Sequence, residues 1–453
     1  MLRVAVVLIG LVLSLLLFRK AAGTLHIGKI NLISYTMYLF LLQTYAGASL
    51  VYLGDRNHYT MNYIMNDSSF DIMFYSVLLT ALLFPLSIRV LYGIMNVDIR
   101  VRYREYLEKS VEIRSERPMF WILSVTGFIC CLFLLIYIIK IGYFPLLRLV
   151  YKPAGFDFGI ERQRISSITV INSYATNVVI GTGIPLLSYM AFAYALALKK
   201  KFWWWALTFV LFGASIVEET LNFEKSPVVF YLFVMLLILM YSRGGLKTKT
   251  VVLFGICAAV IIVFIYTEQG YSFFSGDSNF YNGPVGRVLF TQVGTLAMHF
   301  DLFPFMFPFW GGRSLSPTAM SLLGIDGSYV RSGKLVMDYY GSDKVYDGTG
   351  GVMNTVFIGE AYANFGWIGM ILGIVYVAVL MGLLFWMFLK IRKNPWNLAI
   401  ACMLTGKLAL ASQGGFTDFI YNFQTILLLL LIPIGHFAPI VWKKLYHREK
   451  RGA

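Results

Sequence analysis

One carboxylate in this sequence stands where a charge is expensive. The stretch 355–369, TVFIGEAYANFGWIG, leads from a long polar loop into an apolar span at 368–389, and Glu360 lies just before that span among small and aromatic residues. A charge at the mouth of a membrane helix is costly unless it has a partner, so Glu360 marks a candidate site. The plainer alternative is a carboxylate that favours the positive end of a short helix.

Two long loops, 140–176 and 268–366, carry isolated basic residues among aromatics: Arg148, Arg162 and Arg164 in the first, and Arg287, Arg313, Arg331 and Lys334 in the second. Guanidinium forks bind phosphate oxygens bidentately, so these residues point to an anionic ligand. The alternative is that they reach for lipid headgroups or pair with Glu161, Asp277 or Asp301. The aromatics Tyr271, Phe273, Phe274, Tyr281, Phe309, Trp310, Tyr339 and Tyr340 are too many for an interface belt alone. Sugar rings stack on such faces, with Asn282 and Asn354 placed to read hydroxyls. Two further charge groups fall at membrane depth. Glu218-Glu219 and Glu224-Lys225 flank a tight turn, where a local Glu–Lys pair is the simpler reading, and Lys407 lies inside an apolar run, which favours a cavity. An unpaired charge there costs roughly 2.5 kcal/mol or more.

The elements that must position these groups are apolar runs. Eleven are expected, at about 2–18, 31–53, 71–96, 119–139, 177–198, 203–219, 227–242, 250–267, 367–389, 397–413 and 420–441. Basic segments follow the first, third, fifth, seventh, ninth and eleventh runs, notably Arg19-Lys20, the 98–118 loop, Lys199–Lys201, Arg243, Lys390 to Lys393 and the C-terminal end. Simple alternation puts all of them on one side, which the positive-inside rule makes cytoplasmic. The N-terminus is then outside, the C-terminus inside, and both long loops are outside. Residues 1–453 read as a single membrane domain, an all-α polytopic transmembrane bundle whose loops 140–176 and 268–366 form an outer-face cap. The first run lacks a small-residue cleavage site and reads as a retained helix.

Composition supports this class. Across 453 residues, 58% are hydrophobic and 13% charged, with mean hydropathy +0.71; a soluble domain carries roughly 25% charged residues. The net charge of +15 reflects the basic inter-helix loops rather than nucleic-acid binding. Cys130, Cys131, Cys257 and Cys402 lie within apolar runs without metal-ligand spacing. There is no Walker loop, dinucleotide glycine fingerprint, HExxH or metal-spaced His/Cys cluster, and His299 is the one histidine of the large loop. Neither a metal nor a nucleotide cofactor is indicated.

The pieces GYFPLLRLVYKP with its Arg-rich sequel, FEKSPVVFYLF, FPFWGGRSLSP, GEAYANFGWIG and LASQGGFTDFIYNF, in this order, resemble the Wzy-type O-antigen and oligosaccharide repeat-unit polymerases of bacterial membranes. The resemblance covers the chain from about residue 119 onward. It departs where some members carry Arg and this chain has Lys225 or Gln413; no role is carried onto Gln413. The resemblance implies an inner-membrane glycosyltransferase. A growing glycan on polyprenyl pyrophosphate would pass, reducing end first, to the non-reducing sugar of a new lipid-linked repeat unit, for O-antigen, capsule or exopolysaccharide. Arg164 and Arg287 would bind the pyrophosphate and Lys225 would add charge. Glu360 would orient or deprotonate the acceptor hydroxyl. Arg148, Arg162, Arg313, Lys334 and Tyr362 would help to hold substrate. The implied partners are polyprenyl-pyrophosphate-linked oligosaccharides and membrane lipid, with a chain-length regulator and a flippase beside them. The competing readings are an O-antigen ligase-like transfer and a transporter or flippase of lipid-linked sugars. A transporter would call for internal repeats and matched broken helices, which the sequence does not display.

Overall fold

The computed structural model describes residues 1–113, 116–151, 153, 155–224, 226–268, 280–281, 283–348, 350–415, 419 and 422–435. Lys225, Tyr271, Phe273, Phe274, Asp277 and Asn282 lie outside the described residues. The fold is all-helical, with no strand among the described residues. In chain order, α1 (Leu2–Ala22) is followed by α2 (Leu32–Leu39) and α3 (Ala46–Tyr52), joined through a π-helical segment at Phe40–Tyr45. Next come α4 (Ser68–Ile94), α5 (Ile99–Glu108), α6 (Glu116–Ile141), α7 (Pro145–Val150) and α8 (Phe158–Ser167). A second π segment, Val179–Gly183, joins α9 (Ser173–Val178) to α10 (Ile184–Leu198). The helices α11 (Phe202–Glu219), α12 (Ser226–Ser242) and α13 (Thr248–Glu268) follow. The large loop folds into α14 (Pro284–Leu289), α15 (Thr291–Leu302), α16 (Pro317–Leu323), α17 (Ser332–Tyr340) and α18 (Ser342–Tyr346). Last come α19 (Phe357–Lys390), α20 (Pro395–Ala411) and α21 (Phe423–Gly435).

By length and composition, five helices suffice to cross a membrane: Leu2–Lys29, Ser68–Ile94, Glu116–Ile141, Ser173–Leu198 and Phe357–Lys390. Shorter apolar helices, including α12 and α21, accompany them. The chain is therefore a multi-pass membrane protein.

Local signals set the helix ends. Asp98, Asp157, Asn172, Ser316 and Asn394 accept backbone N–H bonds as N-caps, and Pro145, Pro284, Pro317 and Pro395 open their helices where a missing N–H costs nothing. The core runs along α10 and α20, which bury nearly every face, whereas α1 leaves Leu8, Ile9, Val12 and Leu16 exposed. At one end, buried Lys393 donates to the carbonyls of Tyr106 (2.9 Å), Leu107 (3.1 Å) and Lys109 (2.6 Å), closing the C-terminus of α5 against the α19–α20 turn.

Helix α19 begins ten residues before the span at 367–389 expected from hydropathy. It is two helices joined at a break, Phe365 (φ −136°) and Gly366 (φ 62°, ψ −149°), so Glu360 lies in a buried helical turn rather than in a loop.

Candidate functional site

The short helix ahead of the break is held from two directions. Trp310 N–H donates to the Ala363 carbonyl (3.0 Å) and Gly311 N–H to the Asn364 carbonyl (2.8 Å). Buried Asn364 donates to Ser314 Oγ (2.6 Å) and to the Glu360 carbonyl (2.8 Å), while its Oδ1 accepts from Gly312 N–H (3.1 Å). The FWGGRS segment is thus strapped onto EAYAN through the helix's own end groups, which the break at Gly366 leaves free to bond outward. From the other side, Phe357 N–H donates to the Ser412 carbonyl (3.3 Å) at the end of α20. Only glycine fits the break. The backbone at Gly366 is left-handed, and an added Cβ would lie 3.0 Å from the Phe309 ring.

Glu360 is 1% exposed. Its neighbours are defined by Gly415: a Cβ added there would lie 2.2 Å from Glu360 Oε2 and 3.0 Å from Arg331 Nη2. Carboxylate and guanidinium therefore face one another over a single glycine backbone. The guanidinium thus places a positive charge near a carboxylate at a depth where charge is costly. Arg331 leads directly into Ser332, whose hydroxyl meets His299 Nε2 at 3.1 Å. His299 Nδ1 bonds the Thr295 carbonyl (2.7 Å), which makes Nδ1 the donor and Nε2 the acceptor of the Ser332 hydroxyl. Burial pushes the His299 pKa down to about 4, so the ring is neutral at pH 7. Gly359 packs on the same ring, with its Cβ position 3.4 Å from His299 Cγ.

Tyr362 is buried, its ring 4.6 Å from Phe300, 5.4 Å from Phe309 and 5.4 Å from Trp367. Phe309 and Trp367 are themselves 40% and 46% exposed, so they are the accessible side of this aromatic group.

Helix α8 gathers the first loop. Arg164 Nε meets Glu161 Oε2 at 2.9 Å and its Nη2 donates to the Ile141 carbonyl (3.1 Å). Tyr143 donates to the same Glu161 oxygen (2.7 Å), and the guanidinium carbons of Arg148 and Arg164 stand 5.3 and 5.6 Å from the Tyr143 ring centre. The Tyr143 hydroxyl bond, aided by Arg164, holds the Glu161 carboxyl below its usual range. Arg162 turns the other way, donating to the carbonyls of Asn222 (3.0 Å) and Phe223 (3.2 Å) at the α11–α12 turn. Gln163 donates to the Gly348 carbonyl (2.9 Å), a direct tie between the two long loops.

The remaining basic residues have other neighbours. Arg287, exposed on α14, lies close enough to buried His58 for its charge, after burial itself, to lower the His58 pKa, which is pushed down to about 4. Arg164 and Arg287 thus stand on different elements with different neighbours. Arg313 donates to Ser328 (3.3 Å to the carbonyl, 3.2 Å to the hydroxyl), and Lys334 pairs with Asp338 at 2.7 Å on the α17 surface. Asp301, considered above as a partner for arginine, instead accepts from Met65 N–H (3.0 Å), Asn66 N–H (2.9 Å) and the Tyr340 hydroxyl (2.6 Å). Lys407 has its partner: it donates to Gln424 Oε1 at 2.6 Å, and Glu219 and Glu218 are the carboxylates whose charge acts on it.

In the sequence Arg331 is one of several isolated outer-face cations, and Gly415 and Ser332 carry no distinguishing signal. Nothing in their spacing signals that they meet Glu360 and His299, since they arrive from segments far apart in the chain.

Residues 337–444 match the family model described as O-antigen polysaccharide polymerase Wzy. The matched segment holds Glu360, Tyr362, Asn364, Lys407 and Gly415, and the match supports the Wzy-type family for this chain. No curated protein and no solved structure matches it.

Proposed function

We propose that the chain is an O-antigen-type repeat-unit polymerase, and that it transfers a growing glycan from polyprenyl pyrophosphate to the non-reducing end of a second lipid-linked repeat unit. The observation that carries this reading is the meeting of Glu360, Arg331 and Gly415 within and beside the matched segment. In this reaction the glycosyl carbon–oxygen bond to pyrophosphate breaks, a new bond to the acceptor hydroxyl oxygen forms, and the hydroxyl proton goes to a base. Glu360 is the base or orienting carboxylate, with the nearby Arg331 guanidinium helping to aim it. Cationic groups offset the charge that develops on the leaving pyrophosphate. Arg164 and Arg287 carry that role in this proposal, with Lys225 adding charge and Arg148, Arg162, Arg313 and Lys334 lining the approach. Phe309 and Trp367 offer exposed aromatic faces for sugar, backed by Tyr362. The donor is already activated, so the scheme calls on no metal or nucleotide.

The loops 140–176 and 268–366 form the outer cap in this proposal. They lie on the periplasmic side of an inner membrane crossed eleven times, with the N-terminus outside and the C-terminus in the cytoplasm. The tie from Gln163 to Gly348 supports a shared cap. A chain-length regulator and a flippase are the expected partners in the pathway.

Transport of lipid-linked sugars is kept as the second reading by one observation: Lys407, Glu218 and Glu219 act on one another within apolar helices, near the π-helical interruption at Val179–Gly183. One experiment separates the two. Purified protein incubated in detergent with lipid-linked repeat unit alone yields a ladder of products if it is a polymerase. A folded protein that leaves the repeat unit unchanged overturns the proposal and favours transport.

A further inference from the structure

At the end of α19 remote from Glu360, roughly 45 Å away along the helix, lies a cavity of about 1720 Å³. It is bounded by the end of α1, the Thr24–Lys29 turn, the end of α4 and helix α5. Six cations line it, Arg19, Lys20, Lys29, Arg89, Arg100 and Arg104, against two acids, Asp98 and Glu108. Among the described residues none of the six forms an ion pair. Asp98 is already engaged as the N-cap of α5, accepting from the N–H groups of Arg100 (3.0 Å) and Val101 (3.1 Å).

The positive-inside rule accounts for basic residues on this side of the molecule. It does not account for their convergence on one concavity with an apolar edge. Leu15 and Leu16 belong to the lining and are exposed. The same outward face of α1 continues through Val12, Ile9 and Leu8, and that of α4 through Val90 and Leu86. Charge and apolar surface are therefore arranged in sequence along the membrane normal, as the phosphate and acyl chains of a lipid are.

We infer that this cavity binds the headgroup of an anionic phospholipid from the leaflet on the basic side, with its acyl chains laid along α1 and α4. Basic pockets between membrane helices on this side favour such headgroups. The arginines supply forks for the phosphodiester oxygens. A small free anion would use the cations and leave the leucine edge empty, and a volume beyond the roughly 300–1,000 Å³ of a typical small-molecule site suits the larger ligand. The inference is independent of the reaction proposed for the outer face.

The test uses the full chain in a neutral detergent, with its thermal midpoint read by size-exclusion after heating. The probes are phosphatidylglycerol, phosphatidylcholine and inorganic phosphate. Phosphatidylglycerol raises the midpoint and the other two do not. In the R19Q/R89Q/R100Q variant the phosphatidylglycerol concentration giving half the shift rises at least tenfold, while in R243Q, a basic residue outside the cavity, it is unchanged. An equal response to inorganic phosphate overturns the lipid assignment in favour of a free-anion site. An equal response to phosphatidylcholine overturns the charge selectivity. A full phosphatidylglycerol response in the triple variant overturns the cavity. Should that variant fail to fold, the single surface substitutions R19Q and R89Q decide the question: each shifts the half-maximal concentration upward, or the cavity is not the site.

Discussion

Glu360 and Arg331 come together over Gly415, where an added Cβ would lie 2.2 Å from the carboxylate Oε2 and 3.0 Å from the guanidinium Nη2. A side chain at this glycine fits only if the end of the Glu360 or the Arg331 side chain moves aside. We expect Gly415→Ala to displace one of the two groups and to lower polymer formation sharply in protein that still inserts. Product ladders and a thermal midpoint, measured on the same preparation, check this. Normal ladders from Gly415→Ala would remove the pair from the mechanism.

Glu360→Gln keeps the shape and removes the charge. If Glu360 takes the acceptor proton, turnover falls about 100- to 10,000-fold, the range that a general base contributes. If it is a helix-end carboxylate only, the change costs under about 1 kcal/mol of stability and the ladders stay near normal. Single-turnover transfer between two lipid-linked units measures the difference.

Arg164→Lys and Arg287→Lys keep the positive charge and lose the bidentate fork. Loss of one preorganised charge-stabilising group costs roughly 3–4 kcal/mol of barrier, about 100- to 1000-fold in rate. Arg164 already bonds Glu161, so Glu161→Gln is a useful companion: it frees the guanidinium without removing it. Near-normal ladders from both lysine variants would end the pyrophosphate role of these two arginines.

Two buried histidines give a pH signature. His58 and His299 have pKa values pushed down to about 4 by burial, against about 6.5 in an unfolded chain. Between pH 6.5 and 4 the unfolded state binds more protons than the folded one, so stability rises with pH across that window and falls on acidification. Each histidine contributes a slope of up to about 1.4 kcal/mol per pH unit. Thermal midpoints from pH 7.5 to 4.5 should show this fall, and His58→Gln with His299→Gln should flatten it. An unchanged slope in the double variant would assign the acid sensitivity to other groups.

Orientation is checked by cysteine labelling. Single cysteines in the 98–118 loop and in residues 283–352 should react from opposite sides of the membrane, the second from outside. Reaction of both from the same side would overturn the alternation on which the outer cap depends.

The sequence by itself determined the class of this protein. Runs of apolar residues at bilayer length, a charged fraction half that of a soluble domain, and basic segments between alternate runs leave helices as the structure that satisfies every backbone group in lipid. It also singled out Glu360, because a carboxylate beside an apolar span stands out in one dimension. It could not show what Glu360 meets. His299, the adjacent pair Arg331-Ser332 and Gly415 come from three separate segments, and each is an ordinary residue type in its own stretch. Their meeting is decided by long-range packing: α15 and α17 against α19, and the end of α20 against its first turn. Hydropathy likewise started the ninth span at 367, because composition is blind to a helical turn that continues across a break. Tertiary bonds from the FWGGRS segment hold that turn in place, and only they make Asn364 and Gly366 necessary. Arg164, Lys334 and Arg287 looked alike in the sequence; their neighbours in the fold, Glu161, Asp338 and His58, set them apart.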